Sequence, residues 1–368
     1  MSIRVLVVDD TAVFRRAISE ALSGLPGVEV VGTASNGKLA LARVDALQPD
    51  LLTLDIEMPE MNGIEVLESL NAAGLKTGVI MLSSLTRRGG ELTVRALELG
   101  AFDFLTKPEA GTPAENLAIL REQLAPMIRA FEHRRDVRAI LRTAPLKSPR
   151  TRAGAAGAAA ALPAEPPARG LSRSGGRVVL IGVSTGGPAA LATVLPSLPA
   201  DLGAPVLVVQ HMPPMFTQPL AASLARKCSI PVKEAEEGEL AQPNCAYLAP
   251  GGKHMKVEAG RRGEIFLRLT DDPPENGCRP SVDCLFRSAA LQIPGRSVAA
   301  ILTGMGNDGT AGLKLLKRSG CVSIAQDESS CVVFGMPKEA IAAGVVDTVA
   351  PLDQVAGAIL RSLREVPA

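Results

Sequence analysis

Val178-Val-Leu-Ile-Gly-Val-Ser-Thr-Gly-Gly-Pro188 is a run of apolar residues that stops at a serine between glycines and resumes at a proline. Continuous apolarity without alternation is the pattern of a strand covered on both faces, as in a parallel sheet. The glycines allow a sharp turn. Proline suits the first turn of a helix, where its missing N–H costs nothing. The stretch therefore reads strand, turn, helix, the repeating unit of an α/β sheet.

The same pattern recurs outward in both directions. Downstream, strands are expected at Pro205–Gln210, Cys245–Ala249, Ile265–Thr270, Val298–Thr303 and Cys321–Gln326, with helices near 187–196, 216–227, 281–291, 309–318, 337–343 and 353–363. Upstream, strands are expected at Ile3–Val8, Val28–Gly32, Leu51–Leu54, Val79–Leu82 and Phe102–Leu105, with helices near 12–23, 37–47, 62–72, 89–99 and 114–131. Both halves are thus expected to be doubly wound α/β units. The first should be a five-stranded parallel sheet of flavodoxin-like order 2-1-3-4-5. The second should be mostly parallel. Between them, residues 132–176 read as a helix tail and a flexible linker, with Ala/Gly at 153–161 and prolines at 163, 166 and 167. The expected division is 1–131, 132–176 and 177–368.

Composition narrows the function classes. The 368 residues carry a net charge of only +1, and aromatics make up 2%. A polycation for nucleic acid and base-stacking platforms are both disfavoured. Residues 1–131 hold five more acids than bases, 132–176 hold six more bases than acids, and 177–368 balance. A basic linker thus lies beside an acidic half. The six cysteines form no Cys-x-x-Cys pair and are read as small buried residues of a reducing cytosol. The N-terminal apolar run is too short for a signal-peptide core, and no stretch is long enough to span a membrane. The chain is read as cytoplasmic, without membrane insertion, and as a monomer.

Strand ends gather on one edge of a parallel sheet, where ligands bind. In the first half that edge should collect Asp9 and Asp10, Asp55, Ser83 and Lys107. Three carboxylates in one pocket repel one another unless a hard cation such as Mg²⁺ lies among them. A carboxylate can also take a phosphoryl group, with Lys107 neutralising its oxygens and Ser83 hydrogen-bonding one. In the second half the edge should collect Ser184, His211 and Asp308. Ser184 sits in Gly-x-Ser-x-Gly between strand and helix, the context of a nucleophile elbow. The same serine would also serve as a helix cap, and the glycine turn as a phosphate cradle. With three histidines in the chain, His211 ranks first as a base because it ends a strand. His254, in a loop, ranks second. Asp308 follows another strand in a glycine loop whose N–H groups, that of Met305 for example, suit an oxyanion.

The first 125 residues resemble a two-component receiver domain. Lys107-Pro108 matches the Lys-Pro of that family, and Phe104 stands where receivers carry a switch aromatic. That resemblance implies Asp55 as phospho-acceptor, fed by a histidine kinase, with Asp9 and Asp10 binding Mg²⁺. With Gly182-Val-Ser-Thr-Gly-Gly-Pro188, Gln210-His-Met212, Ala249-Pro-Gly-Gly-Lys-His-Met255, Arg279-Pro-Ser-Val-Asp283, Leu302-Thr-Gly-Met-Gly-Asn-Asp-Gly309 and Cys331-Val-Val-Phe-Gly-Met-Pro337 added, the whole chain resembles the chemotaxis protein-glutamate methylesterase/glutaminase family. The resemblance implies a Ser184–His211–Asp308 triad assisted by Thr185 and the Met305 amide. Glutamate methyl esters and glutamines of chemoreceptor cytoplasmic domains would be the substrates. The receiver would act as an inhibitory gate, and no cofactor is expected for the ester chemistry. A receiver-controlled binding module without catalysis is the competing expectation.

Overall fold

The computed structural model describes residues 2–108, 110–143 and 176–366. The N-terminal half runs β1 (Ile3–Val8), α1 (Ala12–Ser23), β2 (Val28–Ala34), α2 (Gly37–Leu47), β3 (Leu51–Asp55), α3 (Gly63–Ala72), β4 (Gly78–Ser83), α4 (Arg87–Glu98), β5 (Asp103–Thr106) and α5 (Pro113–Thr143). Its strands pair in the expected order β2-β1-β3-β4-β5, all parallel. The helix tail expected at the start of 132–176 is the last part of α5. The rest of that segment, 144–175, lies outside the described residues.

The C-terminal half runs β6 (Val178–Val183), α6 (Gly187–Val194), β7 (Val206–Gln210), α7 (Thr217–Ala225), β8 (Val232–Glu234), β9 (Ala246–Leu248), β10 (His254–Ala259), β11 (Ile265–Thr270), α8 (Val282–Gln292), β12 (Ser297–Ile301), α9 (Thr310–Arg318), β13 (Val322–Gln326), α10 (Met336–Ala342), β14 (Thr348–Ala350) and α11 (Leu352–Glu365). Seven of these strands form a parallel sheet in the order β14-β13-β12-β6-β7-β9-β8. The central β6 is buried at every position, as its unbroken apolar run requires.

Three strands differ from expectation. β8 and β14 have three residues each, too few for a periodic signal. β10 pairs antiparallel with β11 as a hairpin apart from the main sheet. Its residues alternate between buried and less buried faces after His254, and that alternation was obscured by the preceding Pro-Gly-Gly turn.

The two halves are packed together through α4, which lies against α6 and α7. Gly90 makes this contact possible, because a Cβ there would come within 2.6 Å of the Met215 carbonyl oxygen. Phe104 on β5 packs on Phe216, with ring centroids 4.7 Å apart. Glu98 of α4 accepts hydrogen bonds from Ser223 at 2.6 Å and Lys227 at 2.8 Å. Among the described residues no helix is long and apolar enough to cross a membrane. Cys245, Cys284 and Cys321 are buried as expected, whereas Cys228, Cys278 and Cys331 are partly exposed.

Candidate functional site

The strand ends of the N-terminal sheet bring together the acidic residues picked out in the sequence. Carboxylate oxygens of Asp9, Asp10 and Asp55 lie within 4.8 Å of one another. Lys107 reaches Asp9 at 2.8 Å and Asp55 at 2.7 Å. Asp9 and Asp55 are buried and Asp10 is exposed. Burial pushes the Asp55 carboxyl up to about 6, although the Lys107 ammonium pulls against it. Lys107 itself is raised: burial would lower it, but its bonds to Asp55 and Asp9 outweigh that cost. Ser83 accepts a 2.8 Å hydrogen bond from Thr93. One ammonium against three carboxylates leaves an oxygen-only donor set with excess negative charge, which suits a hard divalent cation.

In the C-terminal sheet, Ser184 directly follows β6, His211 directly follows β7, and Asp308 lies in the loop after β12. The turn after Ser184 passes through Gly186 in the left-handed region (φ 77°). Gly304 allows the β12 loop to press on it, since a Cβ there would meet the Ser184 Cβ at 2.8 Å. Gln210 holds the two loops in register by donating both amide hydrogens, to the carbonyls of Ser184 and His211, each at 3.0 Å.

His211 Nε2 is 2.7 Å from Asp308 Oδ2. Asp308 also accepts from Val282 N–H at 2.6 Å, Ser281 Oγ at 2.8 Å, Asn276 Nδ2 at 2.8 Å and Asp283 N–H at 3.1 Å. Burial alone would raise its pKa, but His211 and these donors hold it well below the usual carboxylate range. His211 moves the other way. Burial would lower it, but the Asp308 bond and charge, with the Cys278 contact, push it up to about 9. An Nε2–H bound to Asp308 leaves Nδ1 as the nitrogen able to accept a proton. Nδ1 faces Cys278 Sγ at 3.6 Å. Among the described residues no hydrogen bond joins the Ser184 hydroxyl to His211, although both line one cavity of about 600 Å³.

His254, the second-ranked base, does not reach that cavity. It is fully buried at the start of β10, where Nδ1 accepts from Ser281 N–H at 3.2 Å and Nε2 lies 3.1 Å from the Pro273 carbonyl. Its polar atoms are spent on the backbone that carries Ser281. His133 is exposed on α5.

The N-terminal half roofs the cavity. Asp103, Phe104 and Met127 line it from above; Ser184, His211 and Met305 line it from below. Thr185 Oγ donates a 2.7 Å hydrogen bond to Asp103 Oδ2 across the junction. Burial raises the Asp103 carboxyl to about 6, and the Thr185 bond opposes that shift. Sequence reasoning missed Asp103, Asn276 and Cys278. Asp103 did carry a signal, an acid beside Phe104 in a strand expected over Phe102–Leu105.

Fold and cavity together define a class: an α/β protein of two halves in which β5 and α5 of a receiver-type half are set over a strand-end site that carries Ser184 and His211. The comparisons agree with both parts. The model of the response regulator receiver domain matches residues 5–117, and that of the CheB methylesterase matches 179–359. A protein-glutamate methylesterase/protein-glutamine glutaminase of Desulfotalea psychrophila is 49% identical over 368 residues, 99% of each chain. One from Geobacillus kaustophilus is 46% identical over 367 residues, again 99% of each. The solved catalytic domain of Thermotoga maritima CheB methylesterase shares 43% identity at a TM-score of 0.50, covering 50% of this chain and 98% of its own. The chain belongs to the protein-glutamate methylesterase/protein-glutamine glutaminase family, the CheB methylesterases that carry a receiver domain.

Proposed function

We propose that this chain is a phosphorylation-activated serine hydrolase of chemotactic adaptation, which demethylates glutamate methyl esters and deamidates glutamines on chemoreceptor cytoplasmic domains. The observation that carries this reading is the His211–Asp308 pair beside Ser184 in a cavity roofed by Asp103 and Phe104. In the division proposed, residues 1–131 are the receiver, 132–176 the helix tail and linker, and 177–368 the catalytic domain.

Ser184 Oγ bonds to the ester carbonyl carbon while His211 Nδ1 takes its proton. Asp308 orients the imidazole and stabilises the imidazolium. Backbone N–H groups at Thr185 and Met305 hold the oxyanion, each such donor contributing about 3–4 kcal/mol. The carbon–oxygen bond to the leaving group breaks, and His211 returns the proton so that methanol departs. Water then adds to the acyl-enzyme, His211 accepts its proton, and Ser184 leaves as the hydroxyl, freeing the glutamate carboxylate. From a glutamine, ammonia leaves in place of methanol.

Asp55 is the proposed phospho-acceptor, supplied by a histidine kinase. Oxygens of Asp9, Asp10 and Asp55 would hold Mg²⁺, whose charge offsets that of the incoming phosphoryl group. Lys107 and Ser83 would contact the phosphoryl oxygens. Phosphorylation replaces the single carboxylate charge of Asp55 with nearly two on the phosphoryl group. The shift then runs through Ser83 and Phe104 to Phe216, and the Asp103–Thr185 contact opens. The reading places the chain in the cytoplasm as a monomer. A serine-directed phosphonate tests it: labelling should fall on Ser184 and increase with a phosphodonor. A binding module without catalysis would leave Ser184 unlabelled.

A further inference from the structure

Asp308 and Asp283 are two nearly inaccessible carboxylates, 2% and 3% exposed, packed side by side at the N-terminus of α8. Two such charges repel strongly where water cannot screen them. Asp308 Oδ1 and Asp283 Oδ2 share one partner. Asn276 Nδ2 lies 2.8 Å from the first and 2.9 Å from the second. Both partners are acceptors, so the amide orientation follows, with one hydrogen donated to each. Asn276 is otherwise exposed, on a turn closed by Glu275 and Cys278, and its backbone is left-handed (φ 54°). The remaining Asp283 oxygen accepts from Gly312 N–H at 2.6 Å.

We infer that Asn276 is a positioning residue for the His211–Asp308 pair: its amide spans Asp283 and Asp308, keeps both ionised, and holds Asp308 aimed at His211. The inference rests on the esterase reading of this site. Without the amide the two carboxylates share a proton. Asp308 then presents less charge to His211, and its second oxygen is free to turn away. The other titratable groups facing Asp308 are His211 after β7, Glu275 in the turn and Asp283 at the start of α8, while Cys278 faces His211 Nδ1 at 3.6 Å. Arg287 already pairs Glu275 at 2.5 Å.

The test compares the full chain, Asn276→Ala and Asn276→Ala/Asp283→Asn, each with a phosphodonor and methylated receptor membranes. In Asn276→Ala, kcat should fall about tenfold to a hundredfold, as for a misplaced catalytic group, with KM within about twofold. Removing the Asp283 charge should return at least about fivefold of that loss, because the two residues act through one shared contact. Asn276→Asp, which keeps the shape but replaces the donor with a third carboxylate, should be at least as impaired, covering the case in which alanine unfolds the turn. The His211 ring titration, followed by NMR in a chain with three histidines, reports the same coupling without turnover. It should move down in Asn276→Ala and back up in the double variant. Wild-type kcat in Asn276→Ala, or no recovery and an unmoved titration in the double variant, would overturn the inference. If the unaltered chain releases no methanol while the titration behaves as stated, the esterase reading fails and the positioning role stands.

Discussion

At the ends of β1 and β3 three carboxylates gather beside a single lysine that reaches two of them, whereas in the loop after β12 one carboxylate is surrounded by five donors. Both clusters occupy the same place in a parallel sheet, the carboxyl edge where loops converge. In the first, charge is left over, and burial lifts Asp55 to about 6. Such a site invites a cation and a phosphoryl group. In the second, backbone and side-chain donors saturate Asp308, which stays ionised in a nearly dry environment and holds His211. Topology supplies the place, while the balance of donors against acceptors decides which chemistry runs there.

The contrast is broken most severely at Ser184. Ser184→Ala should lower methanol release by at least about 10⁴-fold, as losses of triad nucleophiles do. Phosphorylation of Asp55, assayed with a labelled phosphodonor, should be unchanged, since that site lies on the other sheet. Asp308→Asn keeps the shape but removes the charge, and kcat should fall about 10³- to 10⁴-fold.

The junction between the two clusters is the next place to break it. Asp103→Ala removes the carboxylate that accepts from Thr185. Basal activity of the unphosphorylated chain should rise about tenfold, in keeping with a hydrogen bond to a charged group worth about 1.5–3 kcal/mol. A steady-state assay without phosphodonor checks this, and unaltered basal activity would detach Asp103 from the gate.

The last expected effect is in pH and needs no substitution. His211 must be neutral to accept the serine proton, so activity of the unphosphorylated chain should rise as pH climbs from 7 toward about 9. Stability runs the opposite way. A folded-state pKa raised above the unfolded 6.5 gives stabilisation that is full below 6.5 and lost as pH rises through about 9. Thermal melts of the chain and of His211→Ala should therefore converge over that interval.

Much of this was legible in the sequence. Unbroken apolar runs marked the buried strands, and punctuation by Asp9, Asp55, Ser184, His211 and Asp308 marked their ends. Because topology brings strand ends together, residues far apart in the chain group at one edge of each sheet. The paired loops were not legible. Asn276-Gly277 is a turn-forming pair, and nothing local shows that the amide spans two carboxylates from α8 and the β12 loop. Asp103 and Thr185 are joined only because α4 packs on α6 and α7, a contact between halves that no periodicity encodes. His254 looked like a loop residue because its strand starts directly after a Pro-Gly-Gly turn and pairs only with its own hairpin partner.

Methanol release from methylated chemoreceptor membranes, measured with and without a small-molecule phosphodonor, tests the central claim most directly. The account predicts release that depends on Ser184, rises on phosphorylation, and in Asp55→Asn stays at its unphosphorylated level. Release indifferent to the phosphodonor, or undiminished in Ser184→Ala, would contradict it.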